Sequence, residues 1–141
     1  MRSVLIGLAF ALMPAIAPAA DAGDPCDGAS TPEINACFAG KLEAAEAQMQ
    51  RYLRAAVLRH QDSGDPGIAL GMESSQEAFE AYRDIACGAV YYRWRDGTIR
   101  GLHELTCRIA LTDQRTHVIW AQWLTYPDGT SPTLPEPTKT E

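Results

Sequence analysis

Three stretches of the chain repeat apolar residues at steps of three and four, and breaker segments separate them. That period matches the 3.6-residue turn of an amphipathic helix and fits no strand, whose side chains alternate every second residue. In the first stretch the repeat runs through Ile34, Cys37, Phe38, Leu42, Ala45, Met49, Tyr52, Leu53, Ala56 and Val57. It predicts one helix of roughly thirty residues with Lys41, Glu43, Gln50, Arg51 and Arg54 on its outer face. Thr31-Pro32-Glu33 supplies its start: a capping hydroxyl, a proline at the first helical position and an acid at the positive end of the dipole.

Asp62-Ser63-Gly64-Asp65-Pro66-Gly67 breaks the pattern, and Asp65-Pro66 repeats the cap-plus-proline start. The second helix is expected over residues 66–93, with Met72, Phe79, Tyr82, Ala86, Val90 and Tyr91 facing inward. Asp96-Gly97 marks the next turn and Thr98 the next cap. The third helix carries Leu102, Leu105, Ile109, Thr112, Thr116, Ile119 and Trp123 and should stop near Tyr126, ahead of Pro127. Short loops between long helices make neighbours antiparallel. The expected fold is therefore all-α: a small antiparallel three-helix domain over residues 21–126, stapled by disulfides. Residues 127–141 are rich in Pro and Thr and nearly devoid of apolar side chains, so they are expected to be a disordered tail.

The first twenty residues have the form of a signal peptide. Arg2 gives a positive start, Val4–Met13 is apolar apart from Gly7, and Ala17-Pro18-Ala19 fits a cleavage site. The apolar run is shorter than the roughly 20 residues a bilayer span needs. Cys26 follows Gly23-Asp24-Pro25, which is no lipobox, so neither a membrane span nor a lipid anchor is expected. The mature protein should be periplasmic or secreted. All four cysteines, Cys26, Cys37, Cys87 and Cys107, lie beyond this leader, and an even number in an exported chain implies disulfides. Their spacings of 11, 50 and 20 residues offer no close pair for zinc.

Four cysteines allow three pairings. In an up-down-up bundle Cys37, Cys87 and Cys107 share one end and Cys26 lies just before it. The turn between helices two and three favours Cys87–Cys107, leaving Cys26–Cys37. The rival is Cys37–Cys87 with Cys26–Cys107.

The chain carries 12 Lys+Arg against 18 Asp+Glu, a formal charge of −6. Nucleic-acid binders advertise a basic face, and this chain has none. His60, His103 and His117 are scattered and read as surface residues, so no metal, catalytic set or cofactor is expected.

Three blocks carry a resemblance. They are Cys26-x4-Thr31-x-Glu33-x3-Cys37, then Gln76-x2-Phe79-x2-Tyr82-Arg83-Asp84-x2-Cys87, then Gly97-Thr98…Cys107-x4-Thr112-x2-Arg115. In this order, behind a signal peptide, they resemble the LprI-like lysozyme-inhibitor N-terminal domain family. Phe79 replaces that family's usual Trp, and Glu46-x2-Met49-Gln50 with Tyr52 loosely approximates its Asp-x2-Leu-Asn…Tyr. The resemblance implies a small exported helical domain that binds a protein partner, a cationic lysozyme being the leading candidate. The alternative is a cell-envelope interaction module without inhibitory activity.

The motif residues Gln76, Phe79, Tyr82, Arg83, Asp84, Gly97, Thr112 and Arg115 are accordingly structural or partner-binding. For Arg83-Asp84 and Arg115 two roles compete: an ion-pair network tying helices two and three, or a reach into an acidic pocket on a partner. Trp94, Trp120, Trp123, Tyr91 and Tyr92 are divided in the same way between helix packing and an exposed anchor.

Overall fold

The computed structural model describes residue 26, residues 30–61 and residues 65–140. The leader proposed for residues 1–20 lies outside them. Three long helices make up the domain: α1 (Thr31–Gln61), α2 (Pro66–Arg93) and α3 (Arg100–Ile119), with α3 running on into a π-helical turn, Trp120–Leu124. There is no strand among the described residues.

Helix starts follow local hydrogen bonding. Asp65 caps α2 by accepting from the Gly67 amide at 2.9 Å, with Pro66 in the first turn, as the sequence predicts. At α1 the cap is Ser30 rather than Thr31. The Ser30 amide and hydroxyl both donate to Glu33 Oε2, at 2.8 and 2.6 Å, an acid three residues on serving the cap as in a capping box. These two bonds hold the Glu33 carboxyl below its ordinary pKa. Thr98 does not cap α3; Ile99 occupies that position and contributes no side-chain bond.

Inter-helix pairs fix the topology. Arg83 meets Thr112, and Gln76 meets Arg115, so α2 and α3 run antiparallel. Glu46 meets Arg83 and Met49 meets Gln76, so α1 and α2 do too. The bundle is up-down-up. Disulfides join Cys26 to Cys37 and Cys87 to Cys107, with Cα–Cα distances of 5.8 and 5.6 Å, so the favoured pairing stands and its rival falls.

The apolar core gathers at the opposite end. Met49, Tyr52, Leu53 and Ala56 of α1, Met72 of α2, Ile119 of α3 and Leu124 are buried together, with Phe79, Trp120 and Trp123 packed on their rim. Each large side chain removed from water there contributes roughly 1.5–3 kcal/mol. The π turn is one residue wider than an α turn. It brings Leu124 into full burial close behind Ile119. Arg59 finishes this end by donating to the Trp123 carbonyl at 2.6 Å while its guanidinium lies 3.9 Å from the centre of the Tyr126 ring.

Residues 127–140 overturn the expectation of a disordered tail. Gly129, at φ +82°, completes a turn that reverses the chain, and Thr130 N bonds Asp128 Oδ1 at 3.0 Å. The segment then runs back as a strap bridging α3 and α1. Thr133 N bonds the Leu124 carbonyl at 2.9 Å, and Leu134 packs on the core. Tyr52 Oη donates to the Pro135 carbonyl at 2.8 Å, and Trp120 Nε1 to the Leu134 carbonyl at 2.9 Å. Thr140 bonds both carboxylate oxygens of Asp113. Composition misleads here because the strap is held by its backbone carbonyls, which any residue supplies, and by polar tips of core aromatics that require a partner. Prolines 127, 132, 135 and 137 also restrict the unbound segment, so less entropy is lost on docking.

Candidate functional site

Four of the motif residues, Gln76, Arg83, Thr112 and Arg115, turn toward the seam between the helices. Arg83 is 8% exposed and Thr112 fully buried. Arg83 Nη1 donates to Thr112 Oγ1 at 2.9 Å and pairs with Glu46 Oε1 at 2.8 Å. One guanidinium nitrogen therefore links all three helices. Two turns away, Gln76 is buried; its Oε1 accepts from Arg115 Nε at 3.1 Å and its Nε2 donates to Glu80 at 3.0 Å. Arg115 also donates to Ser75 Oγ at 2.7 Å. Burial pushes the Arg115 guanidinium below its usual pKa. Phe79 lies beside both cations, 6.0 Å from Arg83 and 5.5 Å from Arg115.

Asp84 belongs to an outer arm of this seam. It pairs with Arg108 Nη1 at 2.5 Å, and Arg108 also grips Glu104 at 3.0 Å. Burial by itself would lower the Arg108 pKa; hydrogen bonds to the two carboxylates and their charge outweigh it and raise the value. The expected ion-pair network between α2 and α3 is met only at Asp84, through Arg108; Arg83 pairs instead with Glu46 of α1, and Arg115 bonds the neutral Gln76 and Ser75. Glu46, Ser75, Glu104 and Arg108 are members the motif blocks do not contain. Glu46 alone had a signal in the sequence, in the loosely matching first-helix block.

Two motif residues stand apart. Tyr82, expected inward, points out and is 58% exposed, because the α2 phase set by Met72, Gln76, Arg83 and Cys87 leaves it near the far side. Gly97 sits in the α2–α3 turn and donates to the Trp94 carbonyl at 2.9 Å. Its φ is not positive, so the turn does not depend on glycine's left-handed freedom.

The aromatic set also divides. Trp120 and Trp123 pack on the core, Tyr91 lies under Arg100, and Tyr92 stays 70% exposed. His60 and His103 are half-buried rather than plain surface residues. Each histidine meets a different tryptophan: His60 meets Trp123, His103 stacks on Trp94, and His117 lies edge-on to Trp120. A groove of about 790 Å³ opens between α3 and the strap, lined in part by Ile109, Asp113, His117, Glu136 and Lys139. Among the described residues no helix is long and apolar enough to cross a membrane.

The lysozyme inhibitor LprI family model matches residues 25–118. The chain belongs to the LprI lysozyme inhibitor family. The match spans both disulfides and the whole polar seam. No curated protein and no solved structure matches the chain. Family membership implies a protein partner outside the cytoplasm, in keeping with two disulfides in so small a domain.

Proposed function

We propose that the protein is an exported binder that inhibits lysozyme-type muramidases by occupying their substrate cleft. The observation that carries this reading is the family match over residues 25–118. Two properties support it. The formal charge of −6 suits a strongly basic C-type lysozyme, since opposite fields speed encounter and set orientation. The motif residues that could have served chemistry are used up in bonds between helices, leaving a rigid scaffold for presenting a surface. A cleft built on two catalytic carboxylates is blocked by any body that fills it, and the blocker needs no chemistry of its own.

The test is a titration of the purified, disulfide-intact protein against lysozyme lysis of cell walls. Lysis should slow in proportion to inhibitor and recover as salt rises, because steering is screened over about 8 Å at physiological ionic strength. Unchanged lysis at large molar excess rejects inhibition and leaves a cell-envelope interaction module.

A further inference from the structure

Helix α2 has two apolar sides, and the fold uses one. Met72, Gln76, Arg83 and Cys87 face the bundle. On the opposite side Ala78, Tyr82, Ile85, Ala89 and Tyr92 follow one another at steps of four, three, four and three. Ile85 is 76% exposed, Tyr92 70% and Tyr82 58%, and both alanines are exposed. Scattered apolar residues on a surface are ordinary. A line of them at heptad spacing is the pattern a helix presents to another body.

One edge of this stripe is acidic. Glu77 borders the stripe on one flank and Glu73 lies a turn before it, nearer the bundle face, both exposed with no ion-pair partner among the described residues, while the exposed Arg93 borders the other flank. Asp84 continues the same flank but is tied to Arg108. A second copy would meet this face with the same acidic edge, in a chain whose formal charge is already −6, and an anionic membrane would be repelled by it. An apolar centre with carboxylates along one rim, in a chain of formal charge −6, instead complements a protein rich in Lys and Arg.

We propose that this outward face of α2 is the surface that docks the basic lysozyme. Tyr82, Ile85 and Tyr92 form the desolvated centre, while Glu73 and Glu77 meet cationic side chains at the rim. The inference rests on the inhibitory reading above and assigns it a place on the molecule.

The experiment measures binding of the full chain to a basic C-type lysozyme by calorimetry, beside the lysis assay. The variants are Ile85→Lys, Tyr92→Ala and Glu73→Lys with Glu77→Lys. Leu58→Lys, on an exposed position of α1, is the control. Circular dichroism checks that each variant keeps its helices. Ile85→Lys should weaken binding about tenfold or more, as for a residue at the centre of an interface. Tyr92→Ala should weaken it in the same direction. The double charge reversal should slow association and flatten its salt dependence, and Leu58→Lys should behave as the unaltered protein. If the unaltered protein binds and inhibits while Ile85→Lys and Tyr92→Ala do so equally well, the assignment of this face is wrong and the inhibitory reading survives. If the unaltered protein does not bind, the reading and the face fall together. Sedimentation of a dimer that Ile85→Lys turns into a monomer would give the face to a second copy and overturn the proposal.

Discussion

Arg83 concentrates much of the molecule's specificity in one nitrogen. Replacing it by Met should cost about 2–3 kcal/mol, below the 3–5 typical of a fully buried pair, because Glu46 keeps access to water. Thr112→Val keeps the volume, removes the hydroxyl acceptor and should cost about 1–2 kcal/mol. Urea denaturation followed by circular dichroism measures both, and a change within 0.5 kcal/mol for Arg83→Met, roughly the range of an ordinary surface substitution, would show that the seam is ornamental to stability. Glu33 and Asp128 make a second residue-level case. Hydrogen bonds from Ser30 and from the Thr130 backbone lower their pKa values. A lowered carboxylate contributes stability that is present above its ordinary pKa and lost as pH falls through the lowered one. Acidification below the usual carboxylate range should therefore loosen the first turn of α1 and the turn at residues 126–130 before the helices melt. Amide exchange at residues 31–37 and 129–133 reads this directly, and uniform protection down to global unfolding would contradict it.

Among the elements, the strap is the one whose removal is most informative. Ending the chain after residue 130 strips the acceptors from Tyr52 Oη and Trp120 Nε1 and uncovers the core at Leu134. Orphaned buried donors cost about 1–3 kcal/mol each, so the truncated protein should lose about 2–5 kcal/mol and its tryptophan emission should shift to the red. A melting curve unchanged by truncation would mean that the strap is merely laid on the surface. The three helices were legible because periodicity and punctuation are local: Asp65-Pro66 starts α2 where the sequence places it. The strap was not, because its bonds run from carbonyl groups to side chains up to 90 residues away and leave no trace in composition. The site was legible in part. Gln76, Arg83, Thr112 and Arg115 do meet, but spacing could not tell an inward cluster from a contact surface. Tyr82 was misread because apolar residues on α2 occupy both sides of the helix, and the phase is decided by Gln76 and Arg83, polar residues that hydropathy places outside.

For the whole molecule the division of labour is along its length: side-chain burial at one end, cross-links at the other, and the polar seam between. Replacing Cys87 and Cys107 together by Ser should remove about 3 kcal/mol on the loop-entropy account for a span near 20 residues, lowering Tm markedly. The loss should appear first at the α2–α3 turn, with the Met49–Leu124 end still protected from exchange; simultaneous loss at both ends would show one indivisible unit. The strap adds a matter of timing. Tyr52 is synthesised 83 residues before the carbonyl that satisfies it. The helices can wind and collapse on local and inter-helix contacts, yet two aromatic donors in the interior must wait on water until residues 134 and 135 dock. The bundle is therefore complete in shape before it is complete in hydrogen bonding. Until the strap docks, the end carrying Trp120 and Tyr52 stays open, while the covalent bridges close only the other.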